Sequence, residues 1–247
     1  MPNSDYPLVE YITSTTSRSF DDIKETVDIV RKVCKDIQYE DFRAILALIY
    51  GESRFNPNAV SSANAKGLMQ IIPSTWNILK QNLSRIGVNI ANILNKRDNV
   101  TAGSYHYYKT CIKPLLKYFN AKDVYELFQA NIGQYERLLR IAVISYNAGE
   151  SVGLNYAKGK RTWNSLAGQT RTLVNTFKQY YDQIKHLKYH VGDIIDDDRD
   201  QLMIPEQSLS ERNGKTNGLS TLNIIFIIVI VIAIGLSGYY IIKKVKK

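Results

Sequence analysis

Apolar residues recur at helical spacing through most of the first 190 positions, and no stretch alternates apolar and polar residues as a half-buried strand does. The clearest pattern lies in 40–53, where four positions at i, i+3, i+4 and i+7 share one face: Phe42, Ile45, Leu46 and Ile49. This pattern predicts an all-α domain. Further helices are predicted over 20–38, from about 74, and over 98–118, 122–131, 134–147 and 170–187.

Two sequence features refine these predictions. Pro114 lacks a backbone N–H, so the helix over 98–118 is expected to stop or kink there. Residues 1–18 are polar, and no helix is predicted in them.

The last part of the chain has a different composition. Residues 222–242, LNIIFIIVIVIAIGLSGYYII, contain no charged side chain, and a helix of that length spans about 31 Å, close to a hydrocarbon core of roughly 30 Å. The sequence therefore predicts one transmembrane helix that enters the lipid bilayer. The predicted organisation is an N-terminal polar segment and helix (1–39), a helical domain (40–190), a polar tether (191–220), the membrane helix (221–242) and a basic tail (243–247).

Charge and cysteine content exclude several function classes. The net charge is +9, and four of these charges lie in the tail KKVKK, which leaves a mild excess suited to an acidic polymer or a membrane surface. No basic stripe is interleaved with aromatic residues, so no nucleic-acid partner is expected. Cys34, Cys111 and the three histidines show no metal-ligand spacing, so neither a metal nor another cofactor is expected. A Cys34–Cys111 disulfide and two buried thiols both remain open.

Glu52 is the candidate general acid. It follows Ile49 by three residues, at the edge of the apolar face, and precedes a polar loop rich in Gly, Asn and Ser. Apolar surroundings disfavour the charged carboxylate and raise its pKa. A carboxyl group that stays protonated near neutral pH can donate a proton to a leaving oxygen.

Three blocks in the sequence resemble the lytic transglycosylase family of the lysozyme superfamily, whose members cut bacterial peptidoglycan. The blocks occur in the family's order, and the resemblance covers roughly 40–185. The first contains Glu52-Ser53, Phe55-Asn56-Pro57, Gly67-Leu68-Met69-Gln70-Ile71 and Pro73. The second is Ala142-Val143-Ile144-Ser145-Tyr146-Asn147-Ala148-Gly149, and the third is Gln169-Thr170-Arg171.

The resemblance implies a lysozyme-like fold, a substrate and a set of roles. Glu52 is expected to be the catalytic acid, and four residues are expected to bind the glycan: Ser61, Gln70, Tyr146 and Asn147. Tyr146 is expected to orient the carboxyl group of Glu52, although ordinary packing of Tyr146 and a turn-forming role for Ser61 remain alternatives. The implied reaction cleaves the MurNAc–GlcNAc bond and leaves 1,6-anhydro-MurNAc ends.

The sequence contains no clear second catalytic carboxylate. Glu150 falls where the family usually has a neutral residue, and Asp98 is expected to cap a helix. The lack of a clear second carboxylate fits the transglycosylase reaction, in which the sugar's own hydroxyl replaces water. A lysozyme-type hydrolase and a non-catalytic glycan-binding or assembly protein on the same fold are the alternatives.

Four positions depart from the family pattern: Asn64, Ile72, Gln169 and Leu173. None of them removes the acid. Asn64 replaces a usual Gly, and Asn is among the residues that best adopt left-handed backbone angles. The other three are expected to alter contacts with the sugar.

The expected location is a membrane, reached by one of two routes. The basic tail favours a cytoplasmic C-terminus and therefore an outside enzyme domain. The beginning of the chain, MPNSDYPLVEYITSTTSRSF, has neither a basic start nor an apolar run, so no signal peptide is predicted. A bacteriophage with an internal membrane, which delivers the domain during entry, would explain both features. The bacterial cell envelope is the alternative, and virion or envelope proteins are the expected partners.

Overall fold

The structure, a computed structural model, describes residues 5–189, and its regular elements in this range are helices, apart from two isolated β-bridges. This confirms the predicted helical class for the described part of the chain. The helices are α1 (Pro7–Thr15), α2 (Phe20–Ile37), α3 (Phe42–Ser53), α4 (Pro73–Ser84), α5 (Lys96–His106), a π-helix (Tyr107–Ile112), α6 (Lys113–Phe119), α7 (Val124–Ala130), α8 (Ile132–Ala148), α9 (Glu150–Ala157), a 3₁₀ turn (Trp163–Ser165) and α10 (Gly168–Ile184).

The predicted membrane helix over 222–242 and the predicted tether lie outside the described residues. Within 5–189, no helix combines the length and the apolar character needed to cross a bilayer.

The helix predicted over 98–118 is interrupted before Pro114. Helix α5 ends at His106, a π-helical turn follows, and α6 then begins at Lys113 with Pro114 in its first turn. Proline fits there because the first backbone N–H groups of a helix have no partner within the helix. Tyr107, Cys111 and Ile112 are buried within this π-helical turn.

Helix α1 was not predicted, because residues 1–18 are mostly polar and only three of the residues in α1 belong to the core. Leu8, Val9 and Ile12 are fully buried. Pro7 begins the helix, and the backbone N–H of Leu8 donates to the carbonyl of Lys188 at 3.0 Å. Contacts distant in sequence therefore stabilise this helix, which packs against α2.

Helix α3 is the centre of the domain, and it is more buried than its amphipathic pattern predicts. All eight residues from Phe42 to Ile49 are buried, including Arg43, whose guanidinium donates to the carbonyl of Leu187 at 2.9 Å. Helix α10 packs along it at Gly51, where a Cβ atom would lie only 2.7 Å from Leu173 Cδ1. The close contact of α3 with α10 determines where the end of α3 lies.

The beginning of α3 is held by a buried carboxylate. Asp41 caps the helix by accepting from the backbone N–H of Ala44 at 3.1 Å. Its other oxygen accepts from the hydroxyls of Tyr135 in α8 and Tyr181 in α10, the latter at 2.7 Å. A buried charge with several donors stays hydrogen-bonded and ties three helices together. Asp41 therefore has a structural role.

Candidate active site

Glu52 lies in the last turn of α3, where the chain turns sharply away. Helix α3 ends at Ser53, and the next two residues, Arg54 and Phe55, both have left-handed backbone angles, with φ of 52° and 59°. Two consecutive non-glycine residues in this region are uncommon. Phe55 is buried and holds the turn, so the helix ends at the wall of a cleft with Glu52 half-buried there.

The cleft has a volume of about 670 Å³ and is lined by α3, the loop that follows it, and α4, α5, α8 and α10. All five predicted site residues line it, although they lie up to 95 positions apart in sequence: Glu52, Ser61, Gln70, Tyr146 and Asn147. Three of the positions that depart from the family pattern, Ile72, Gln169 and Leu173, line it as well. The tertiary structure thus brings the predicted set together.

Burial raises the pKa of the Glu52 carboxyl group from its usual 4.5 to about 8. No described residue forms a hydrogen bond or an ion pair with this group that would favour its charged form. Loss of hydration therefore acts unopposed, and the acid holds its proton at neutral pH. Such a group can act as a general acid.

Tyr146 lies next to Glu52, but its hydroxyl hydrogen bonds elsewhere. The hydroxyl donates to the carbonyl of Met69 at 2.8 Å. Its pKa is raised, first by burial and then by the nearby charge of Glu52. Because a phenol has only one hydrogen to donate, this hydrogen is not available to the Glu52 carboxyl group. The Tyr146 hydroxyl therefore does not stabilise the charged form of Glu52 by donating to it, and its predicted orienting role stays a prediction.

Replacing Tyr146 by Phe should lower kcat by about tenfold, since the loss of one hydrogen bond near the acid costs about 1–1.5 kcal/mol. The variant should also unfold more easily, because the Met69 carbonyl loses its donor. Steady-state assays and thermal denaturation measure both effects. Tyr118→Phe is the matched control, since it loses a similar 2.8 Å bond to the Ala157 carbonyl away from the cleft. Equal loss of activity in both variants would contradict a local role for Tyr146.

Ser61 and Gln70 help to form the loop that carries them. The Ser61 hydroxyl accepts from the backbone N–H of Ala65 at 3.0 Å, which is the turn-forming role left open by the sequence. The Gln70 amide donates to the carbonyls of Ala59 and Gly67 at 3.1 and 2.9 Å. The hydroxyl hydrogen of Ser61 and the Oε1 atom of Gln70 remain for a ligand in the cleft. The two side chains therefore shape the loop and still have polar atoms left that can contact a ligand.

Asn99 in α5 holds this loop in place, a role that was not predicted from the sequence. It is fully buried, accepts from the backbone N–H of Met69 at 2.8 Å, and donates to the carbonyls of Lys66 and Ile93 at 3.0 and 2.7 Å. A Cβ atom at Gly67 would lie 2.4 Å from the Asn99 amide nitrogen, so only glycine allows this contact. The sequence signal that could have indicated this role is a polar amide side chain, Asn99, on the buried face of α5.

Replacing Asn99 by Ala should lower the free energy of unfolding by about 3 kcal/mol or more, because three buried backbone groups lose their partner. Chemical denaturation measures this loss. Asn77→Ala is the control, because Asn77 is exposed on α4 and the change should be neutral or slightly stabilising. A loss below about 1 kcal/mol for Asn99→Ala would contradict the proposed role of this side chain.

The second and third sequence blocks meet at Asn147. Its side-chain oxygen accepts from the hydroxyl of buried Thr170 at 2.7 Å, which leaves its amide hydrogens for a ligand.

His106 also lines the cleft, and no role was predicted for it from the sequence. Its ring lies 5.3 Å from that of Tyr146, and burial lowers its pKa, so it is neutral at neutral pH. A histidine at the end of α5 has no sequence signal of its own.

Comparison with known families now identifies the domain. Residues 34–166, more than half of the chain, match the model described as "Transglycosylase SLT domain". The chain belongs to this family. The predicted resemblance to the lytic transglycosylases of the lysozyme superfamily is thereby confirmed.

The family match begins within α2 and ends just after the 3₁₀ turn. Among solved structures, the chain is similar to an inactive mutant of the lytic transglycosylase Slt from Pseudomonas aeruginosa, with 20% identity and a TM-score of 0.40. The match covers 64% of this chain and 22% of that one, so this chain spans about a fifth of that protein's length. Within residues 5–189, no group of three or more side chains is placed to hold a metal ion.

Proposed function

We propose that this protein cleaves the MurNAc–GlcNAc bond of peptidoglycan with Glu52 as both acid and base, and that it leaves 1,6-anhydro-MurNAc ends. One observation carries the proposal: Glu52 is the only acidic residue among the described residues that line the cleft. Glycosidases that use two carboxyl groups need a second one within roughly 5–9.5 Å. A cleft with one carboxyl group suits a reaction in which no second one is needed.

The two acids considered from the sequence do not serve as the second carboxyl group. Asp98 accepts from the backbone N–H groups of Ala91 and Asn92 at 2.8 and 2.9 Å, which is a structural role. Glu150 is exposed at the start of α9 and does not line the cleft. Both observations favour intramolecular attack over the two-carboxylate scheme.

In the proposed reaction, the proton of Glu52 passes to the bridging oxygen as the bond between that oxygen and C1 of MurNAc breaks. The oxocarbenium-like centre is then attacked by the C6 hydroxyl of the same sugar, and the Glu52 carboxylate takes the proton released from that hydroxyl. A new C1–O6 bond forms, no water is consumed, and the acid is regenerated. Holding the hydroxyl beside C1 replaces a bimolecular step by an intramolecular one, which gains effective molarity.

The environment of Glu52 supports both halves of this cycle. Burial disfavours the carboxylate, so the group holds its proton before the first step and, once ionised, is a stronger base than an exposed glutamate. The hydrogen of the Tyr146 hydroxyl is bonded to the Met69 carbonyl and so does not stabilise the Glu52 carboxylate. One side chain in this environment can therefore donate a proton and recover it.

Hydrolysis on the same fold is the second candidate, and one observation favours it. His106 is neutral and lines the cleft, so its imidazole is the other group there that could take a proton from water. Mass spectrometry of digested cell walls distinguishes the two reactions. We expect disaccharide-peptide products that are one water lighter than their hydrolytic counterparts. Products with reducing ends would contradict the transglycosylase proposal and support the hydrolase.

We also propose that residues 222–242 anchor this domain to a lipid bilayer, so that cleavage stays local. The support is the uncharged 21-residue run with two tyrosines and a basic tail at its end. The full chain should float with lipid vesicles after detergent removal, and a chain lacking 222–247 should stay in the aqueous fraction. Equal flotation would contradict the anchor. The phage virion membrane and the bacterial envelope stay predictions for its location.

A further inference from the structure

A second concave site, here called the basic groove, lies between α8, α9, α10 and the 3₁₀ turn. It has a volume of about 560 Å³, and no acidic residue lines it among the described residues. Helix α10 contributes Val174, Asn175 and Lys178 to the groove, whereas Thr172, Leu173 and Thr176 face the active-site cleft. These two sets lie on opposite faces of a 3.6-residue helix, so the groove is separate from the cleft.

Four cationic side chains surround the groove, and two of them have no partner. Arg140 in α8 and Arg161 before the 3₁₀ turn are exposed and form no hydrogen bond or ion pair with any described residue. Arg137 is held in place, because it donates to the carbonyl of Ala157 at 3.0 Å. Lys178 is paired with Asp182 at 2.5 Å. The groove therefore presents an excess of positive charge with at least two guanidinium groups available to an anion.

The floor and walls of the groove indicate the rest of the ligand. Ile141, Ile144 and Val174 are buried and form an apolar floor. Tyr156 and Trp163 contribute half-buried aromatic rings. Aromatic rings offer a flat apolar surface with a polar atom at one end, and guanidinium groups bind carboxylates and phosphates through paired hydrogen bonds. This combination suits a sugar ring that carries an anionic substituent.

We propose that the basic groove binds anionic groups, carboxylate or phosphate, on a saccharide segment of the cell wall, and that it holds the enzyme on polymeric wall while the cleft cuts. This inference rests on the proposed function for its choice of substrate. Carboxylates of the peptide stems and phosphates of wall-linked polymers share the required chemistry. Because the groove lies apart from Glu52, it contributes to binding of wall polymer and not to the chemistry of cleavage.

The test measures binding of the full-length Glu52→Gln chain to purified wall sacculi, so that no digestion occurs. Adding Arg140→Glu and Arg161→Glu should weaken binding by about tenfold at ~0.05 M salt, and the difference should shrink at ~0.5 M salt. The matched control adds Lys80→Glu and Arg97→Glu, which change the net charge equally at exposed positions outside the groove. The control should bind within about twofold of the unmodified chain.

Two treatments of the sacculi identify the anion. If carboxylates are bound, coupling them to a neutral amine with a carbodiimide should abolish the difference in binding between the unmodified and the variant groove; if phosphates are bound, hydrofluoric acid treatment should do so. Trp163→Ala should weaken binding at both salt concentrations, because stacking is not screened by ions. Arg140→Gln alone serves as a milder variant should the double reversal fail to fold.

Several outcomes would overturn the inference. The first is an equal loss of sacculus binding in the groove variant and in the control variant. The second is unchanged binding after both treatments of the sacculi. The third is a groove variant that binds anionic lipid vesicles more weakly than the unmodified chain but binds sacculi equally well. With Glu52 intact, the groove variants and the parent should cleave short glycan fragments at the same rate once the carboxylates of the fragments are coupled to a neutral amine. Failure of the proposed reaction would appear independently, as reducing ends in the products of the unmodified enzyme.

Discussion

Replacing Glu52 by Gln should lower kcat on peptidoglycan by about 10³-fold or more. General acid–base catalysis contributes typically 10²–10⁴-fold, and in the proposed reaction one side chain performs both proton transfers. Glutamine has nearly the same shape but can neither release nor accept a proton in this pH range, so the cleft should still bind glycan. Zymograms and kinetic assays of the full chain measure the loss of cleavage, and sedimentation with sacculi measures retained binding.

Glu150→Gln is the matched control for this experiment. Glu150 is exposed, directly follows the second sequence block and does not line the cleft, so its variant should cut at the parent rate. If Glu52→Gln clears walls as fast as the parent, the proposed mechanism is wrong. If neither variant nor parent cuts but all bind, the non-catalytic alternative on the same fold is supported.

The Glu52→Gln variant should also be more stable than the parent at neutral and alkaline pH. Burial raises the pKa of Glu52 in the folded state from its usual 4.5 to about 8, so the folded chain holds a proton that the unfolded chain has lost. Between these two values the parent loses stability as pH rises, because ionisation is easier in the unfolded chain. Glutamine has no such penalty. Allowing for the partial exposure of the side chain, the difference should reach about 2–4 kcal/mol above pH 8.

Chemical denaturation of both proteins from pH 4 to pH 9 measures this difference, which should approach zero below about pH 4.5. Ionisation of Glu52 should also affect the kinetics of the parent enzyme. Its kcat/KM should fall as pH rises through about 8, because only the protonated acid can start the proposed reaction. A pH-independent stability difference, or a fall of activity centred near pH 4.5, would show that Glu52 is not desolvated. Glu150→Gln should show no comparable pH-dependent gain.

Much of the helical framework could be predicted from periodicity alone. Helices α2, α3, α7, α8 and α10 begin and end within a few residues of their predicted bounds, and α4 begins within one residue of its predicted start. These helices are amphipathic or strongly apolar, so burial and local propensity agree in them. Helix α1 could not be predicted in this way, because its three core residues become informative only once Leu8 lies beside the end of α10.

The candidate site, like the fold, could be predicted from the sequence only in part. The spacing from Ile49 to Glu52 predicted an acid at an apolar edge, and the ordered blocks predicted which residues join it in one cleft. The direction of individual hydrogen bonds was beyond the sequence. Gln70 was expected to bind sugar, yet its amide hydrogens hold the loop, and the hydrogen of Tyr146 bonds to Met69 instead of Glu52. Such choices depend on which carbonyl lies within 3 Å after folding.

By itself, therefore, the sequence determined that the described part of this protein is helical, that the chain belongs with the transglycosylase family and that Glu52 is the candidate acid, since residue type and spacing along the chain carry those properties. Only the tertiary structure decided that no second carboxylate among the described residues lines the cleft, that Asn99 holds the catalytic loop and that cations from three distant segments surround one groove. The physical reason is that desolvation, hydrogen-bond partners and local charge depend on atoms far apart in the chain, which come together only when the helices pack.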